Sequence, residues 1–400
     1  MTGIRLGKVA FLVNLIFQCA FLSLYYIFSV SLQQIVGSSG ELFFVAYGIY
    51  HLIIAITLMV CMFFLPKINK TQNIYRCAIS MLATFILILL FPKGPFGVLF
   101  IFIEAIFLAI GQLLSFTYFW SLTVSEERGR IAGFIGFFTI PFTWITALLA
   151  ESLELFGGVL LAVFLILGIL ATKLLKPEES HLSEGSNERV GSYYEKRAVL
   201  LYAIPWILFS LVNGIFDRSL SLNLDFSRDL YVMLLVLQTI AAAFGALGGG
   251  IVADLFGRKL SLSSSLTLYG ISIALSGFAQ NIEVFYFVFI VSGLNWGILW
   301  SLYGSVVWGD LANEQNCVKR YASGLIIFYL PLALGLLFTS QILLIPVVWS
   351  ALAGCSLIFI SNLPLFLAPE LLSEDFRDKI RLRLHMKAVK KLDEESHSQG

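Results

Sequence analysis

Few side chains in this sequence can do chemistry inside apolar surroundings, and most recur at helical spacing. Glu104 is the one carboxylate well inside an apolar run, about eight residues from its end, or roughly 12 Å along a helix axis. Asp217 and Arg218 stand at comparable depth in another run. Burial and neighbouring charge decide the state of such a carboxylate, so Glu104 is read either as a proton-coupling site or as a partner of Arg218 near one gate. Asn14, Gln18 and Tyr25 are offset by four and seven residues and share a helical face. Further polar side chains are Gln112 and Ser115 in one run, Ser210 and Asn213 in the run of Asp217, and Ser292 and Asn295 beside Trp296 and Trp300 in a fourth. Polar residues at membrane depth avoid lipid and mark a binding site or pathway. His51 is read as a helix-packing residue. The hydrolase and phosphate-cradling patterns H-E-x-x-H, G-x-S-x-G and G-x-x-x-x-G-K-[ST] are absent from the sequence. No enzyme activity, metal or cofactor is expected, and an ATP-driven pump is disfavoured.

The elements that position these residues are long apolar runs. Hydrophobic residues make up 58% and charged residues 13% of the 400 residues, with a mean hydropathy of +0.89. A helix needs about 20 apolar residues to cross a bilayer, and helices satisfy their own backbone in lipid. Twelve runs meet that length: 9–35, 41–65, 74–92, 96–122, 131–151, 156–175, 198–222, 229–253, 260–279, 282–308, 320–341 and 343–367. Assigning the 26 Lys and Arg to alternating connections puts all but Lys93, Arg218 and Arg228 on the side of the termini. Basic loops stay in the cytoplasm, so both termini are expected there, in a multi-pass cell-membrane protein. The first run is too long for a signal-peptide core and reads as a span. The five cysteines show no metal spacing, and structural disulfides are not expected. Nucleic-acid binding has no support.

The polar stretch from Lys176 to Arg197 divides six spans from six. The expected organisation is an N-terminal bundle (1–175), a cytoplasmic linker (176–197), a C-terminal bundle (198–367) and a basic tail (368–400). The halves echo one another: Ser125–Phe142 and Asn313–Leu332 each run from a polar, basic loop through Gly133 or Gly324 to Pro141 or Pro331. Repeated helical halves are a common plan for secondary transporters. In the tail, Phe376, Ile380, Leu384, Ala388 and Leu392 recur every four residues among basic ones, a pattern suited either to an anionic membrane surface or to a solvated helix.

Between the eighth and ninth spans stands "GGGIVADLFGRKLS". Gly250, Asp254, Gly257, Arg258 and Lys259 match the loop signature G-x-x-x-D-x-x-G-R-[KR], and the sequence resembles the major facilitator superfamily, which repeats that signature in its second half. Glycine permits a tight turn, Asp254 suits a neighbouring helix N-terminus, and Arg258 can pair with Asp310 or Glu314. Such contacts hold one state of an alternating-access carrier and break in the other. The resemblance implies an all-α membrane protein of 12 transmembrane helices in two six-helix bundles. It also implies a solute site between the halves, lined by spans one, four, seven and ten. The candidate set is then Asn14, Gln18, Tyr25, Glu104, Gln112, Asn213, Asp217, Arg218, Asn295 and Trp296. The first half's matching loop, Leu65–Arg76, lacks the Asp and Gly, and the fifth span lacks the Gly-Pro cluster of the family's drug antiporters. The expected partners are a small-molecule solute, the lipid bilayer and a co-transported proton, with the chain acting as a monomer. Many aromatics and few spanning charges suit an amphipathic or weakly charged solute better than a phosphorylated one, which wants several Arg or Lys. The alternative is a transport-inactive homologue acting as a membrane sensor or scaffold.

Overall fold

Long apolar runs bounded by Gly, Pro and basic turns become helices, because nothing else satisfies the backbone in hydrocarbon. The computed structural model describes residues 7–37, 41–65, 70–91, 94–175, 192–223, 228–279, 281–338, 345–372 and 386. The helices are α1 Lys8–Val36, α2 Glu41–Phe64, α3 Lys70–Leu90, α4 Pro95–Leu122, α5 Ser125–Ser152, α6 Glu154–Ala171, α7 Ser192–Asn223, α8 Arg228–Phe256 and α9 Arg258–Phe278. The tenth span, α10, covers Ile282–Asp310, followed by α11 (Cys317–Leu337) and α12 (Val347–Leu367). Among the described residues, twelve helices are long and apolar enough to cross a membrane. Several run a few residues past the apolar stretch, because polar first turns continue the helix into the loops; α5 starts at Ser125 and α7 at Ser192. Most of the linker and of the basic tail lies outside the described residues.

Successive spans alternate in direction, so the start of α1, the α8–α9 turn and the end of α10 share one end of the bundle. We term it the motif end, and the opposite one the far end. Here α5 and α8 pack through small residues. A Cβ on Gly133 would come within 2.6 Å of the Ala246 carbonyl oxygen, and one on Gly250 would strike the Gly129 carbonyl. Helices in lipid gain association energy from such close approach, since burying Leu against Leu adds little over lipid. Farther along, Phe137 and Phe244 meet edge to face at 5.5 Å. On the opposite flank α2 packs on α11, with Gly48 against Leu337 and Ala333. The helix α10 is not uniform: Leu302–Val306 is a π-helical segment, a wider turn of the kind found at functional positions.

Candidate functional site

A cavity of about 480 Å³ lies between the halves and reaches towards the far end. The first half contributes Tyr25, Tyr26 and Gln33 of α1, Tyr47 of α2, and Trp144 and Glu151 of α5. From the second half come Asn213 of α7, Tyr231, Gln238 and Thr239 of α8, Tyr269 of α9, Ser292, Trp296 and Trp300 of α10, and Phe328 and Tyr329 of α11. Glu151 is the one charged side chain among the described lining residues. Trp296 and Trp300 stack with centroids 5.6 Å apart and planes 3° off parallel, which follows from their i, i+4 spacing. Gln238 Nε2 donates to Ser292 Oγ at 3.3 Å, and Tyr269 donates to Asn213 Oδ1 at 3.5 Å. A second, far smaller pocket sits nearer the motif end, with Gln18, Gln112, Trp300, Ser301 and Ser305 in its wall.

Beyond it the motif end is sealed by buried charge. Asp254 accepts the backbone N–H of Gly129 at 3.0 Å and of Arg130 at 2.7 Å, near the start of α5, together with Arg130 Nε at 3.1 Å. Arg258 pairs with Asp254, donates through Nε to Asp310 Oδ2 at 3.0 Å and reaches the Ser125 carbonyl at 2.6 Å. Arg128 pairs with Asp310 from the other half and is held by the Thr123 hydroxyl and carbonyl, both at 3.1 Å. Trp120 Nε1 donates to the Gly309 carbonyl at 3.0 Å. Gly257 takes φ +110°, a region closed to most L-residues. Its missing Cβ leaves room for Glu370, whose carboxylate accepts Arg258 N at 2.8 Å and Lys259 N at 3.2 Å at the start of α9. Lys259 Nζ donates to the carbonyls of Phe366 and Ala368 at the end of α12, at 2.7 and 3.2 Å.

Of the residues singled out in the sequence, Tyr25, Asn213 and Trp296 line the main cavity. Gln18 and Gln112 line the small pocket, where Tyr329 donates to Gln112 Oε1 at 2.7 Å across the halves. Asn14 is fully buried, and its amide has no hydrogen-bond partner among the described residues. Asn295 turns away from the cavity: its Nδ2 donates to the Val291 carbonyl at 2.7 Å and its own carbonyl accepts Ser265 Oγ at 3.1 Å. Glu104 is fully buried, both carboxyl oxygens are without a hydrogen-bond partner among the described residues, and it lines neither cavity. The side chains of Asp217 and Arg218 lie outside the described residues. The expectation that the fourth span lines the main cavity is corrected, since α4 reaches only the small pocket, whereas α2, α5, α8, α9 and α11 contribute to the main one. Sequence reasoning missed Tyr47, Trp144, Gln238 and Tyr329, polar or aromatic residues in spans not searched for a site. It read Arg128 only as a loop charge, although its position in a polar loop preceding a Gly-rich helix start was visible.

The fold and the sealed motif define the class. Residues 174–345 match the family model described as "Sugar (and other) transporter". The human organic anion transporter MFSD10 (TETRAN) has a similar structure, with TM-score 0.72 and 14% identity over 90% of this chain and 98% of that one. A bacterial homologue of the iron transporter ferroportin in an outward-facing state aligns with TM-score 0.61 and 12% identity, over 90% and 98%. The E. coli fucose:proton symporter FucP aligns with TM-score 0.61 and 12% identity, over 89% and 98%. No curated protein sequence matches the chain. The chain has the fold of major facilitator superfamily transporters, and part of its length, residues 174–345, matches a transporter family model. Its twelve long apolar helices make it a multi-pass membrane protein.

Proposed function

We propose that the protein is a secondary carrier that moves a small, amphipathic, weakly charged organic solute by alternating access. The observation that carries this reading is one geometry seen whole: a cavity between the halves that reaches one end, above an ion-pair network that joins the halves at the other. A transport-inactive scaffold would need no polar chamber on the interface between its halves. The basic loops assign the motif end to the cytoplasm, so the state described is outward-facing, as in the ferroportin homologue. Gly250, Asp254, Gly257, Arg258, Lys259 and Asp310 act as the cytoplasmic gate. Tyr25, Asn213, Gln238, Trp296 and Tyr329 contact the solute. Aromatic walls bind apolar bodies, while the amides and hydroxyls orient a polar group.

The test is a thermal-stability screen of the purified protein against solute classes, repeated with Asn213→Ala and Gln238→Ala. A stabilising solute whose effect both substitutions abolish identifies substrate and site together. Uptake of that solute into proteoliposomes completes the assignment. A solute that stabilises the protein but never enters the vesicles would favour a sensor.

A further inference from the structure

His51 was read from the sequence as a packing residue, and the structure places it one hydrogen bond behind the cavity wall. The side chain is fully buried. Its Nδ1 lies 2.7 Å from the Tyr47 backbone carbonyl, one turn earlier on α2, and its Nε2 lies 2.6 Å from the Tyr25 hydroxyl. A carbonyl oxygen can only accept, so Nδ1 carries the proton and Nε2 of the neutral ring accepts from Tyr25. Tyr25 in turn stands 3.3 Å from the Tyr47 hydroxyl, and both tyrosines line the cavity.

We infer that His51 is a proton-binding site whose charge reverses the hydrogen-bond polarity that the Tyr25–Tyr47 pair presents to the solute. This rests on the carrier reading above and deepens it. With neutral His51, Tyr25 donates to Nε2 and its oxygen is an acceptor towards Tyr47 and the cavity. When one proton enters from cavity water and resides on Nε2, that nitrogen becomes a donor. Tyr25 then accepts from His51, and its own proton turns to donate towards Tyr47 and the cavity. One proton is taken up and the Tyr25 hydroxyl rotates; no heavy atom has to move. The protonated form therefore favours a solute that accepts hydrogen bonds, such as a carboxylate or carbonyl compound, and the neutral form favours a donor.

The surroundings suit a switch of this kind. Besides Tyr25 and Tyr47, the imidazole faces Tyr50 on its own helix at 5.5 Å and Tyr329 of α11 at 5.9 Å between ring centroids. Tyr26 packs on Tyr25 at 5.0 Å. The carboxyl of Glu104 on α4 interacts electrostatically with Tyr50 of this cluster. Tyr329 belongs to the second half and bonds Gln112 of the first, so the ring stack spans the interface that must open and close during transport.

The test is a nitrogen-15 NMR titration of the full-length, histidine-labelled protein in lipid nanodiscs. The chain has four histidines. Substituting His181, His385 and His397 in the polar segments leaves the His51 signal alone, so the assignment needs no change in the core. The expected result is the Nδ1–H tautomer above about pH 8 and conversion to the doubly protonated ring on lowering to about pH 5. Carbon-13 signals from the Tyr25 and Tyr47 rings should move with the same midpoint, and Tyr25→Phe should remove the conversion from that range. An Nε2–H tautomer, a ring that stays neutral throughout, or a conversion that Tyr25→Phe leaves in place would overturn the inference. Transport is measured separately in proteoliposomes. A protein that titrates as described but moves no solute would refute the carrier reading and leave the switch standing; a carrier without this titration would do the reverse.

Discussion

Replacing Asp254 with Asn isolates what the buried charge contributes to the seal. The side chain keeps its shape, and one oxygen can still accept an N–H from α5. In the present structure Asp254 receives three bonds from the other half: Gly129 N at 3.0 Å, Arg130 N at 2.7 Å and Arg130 Nε at 3.1 Å. Its pairing with Arg258 is internal to the second half and persists when the halves part at this end, so it does not count towards the difference between states. A hydrogen bond to a charged group contributes about 1.5–3 kcal/mol, and one between neutral groups about 1 kcal/mol. Weakening two such bonds and losing the third removes about 2.5–7 kcal/mol from the sealed state alone. At 1.4 kcal/mol per tenfold, that shifts the equilibrium between sealed and unsealed forms by roughly 60-fold at the low end and about 100,000-fold at the high end. The shift can be read by double electron–electron resonance between spin labels at exposed positions. Leu174 and Phe256, 85% and 55% exposed, report on the motif end, and Leu42 and Trp349, both 65% exposed, report on the far end. The expected outcome for Asp254→Asn is a longer Leu174–Phe256 distance and a shorter Leu42–Trp349 distance. Unchanged distributions at both ends would refute the idea that charge across the halves holds this state.

Further tests address the helix contact, the gate's other anchor and the buried acid. Gly250→Ala drives a methyl into the Gly129 carbonyl of α5; it should lower the thermal midpoint in detergent and unseal the motif end in the same resonance assay. Arg128→Met removes the charged partner that Asp310 has in the first half and leaves it only the Ser125 hydroxyl there among the described residues; since breaking a buried pair costs about 3–5 kcal/mol, it should impair transport more than Lys259→Met, whose bonds go to the α12 end. Glu370→Gln keeps the shape of the carboxylate that caps α9 but not its charge, and should cost about 0.5–1 kcal/mol at a helix N-terminus, read as a modest drop in thermal stability. Glu104 lines neither cavity, so Glu104→Gln should leave gradient-driven uptake and its pH profile intact; loss of the pH profile would restore the coupling role suggested by the sequence.

The spans were legible because lipid imposes a one-dimensional rule: about 20 apolar residues per crossing, with basic residues kept to one side. The same rule brought Asp254 and Arg258 to a turn at the bundle end, where Asp310 also had to fall. The site was less legible. Helical spacing shows which residues share a face, not which way that face points, so Asn295 and Trp296 are neighbours in sequence yet only Trp296 reaches the cavity. Glu104 stood out as a lone buried acid, but it lines neither cavity.

The amino-acid order by itself determined twelve crossings, their alternation, the six-plus-six division and the family motif, because each depends on local hydrophobicity and loop charge. Only the tertiary structure decided that Arg128 and Asp310 meet across 182 residues of chain, and that His51 stands behind Tyr25. Those pairings depend on how two bundles dock and on the rotation of each helix about its axis. That rotation is set by small residues such as Gly129, Gly133 and Gly250, whose partners lie in the other half and are invisible to any local pattern.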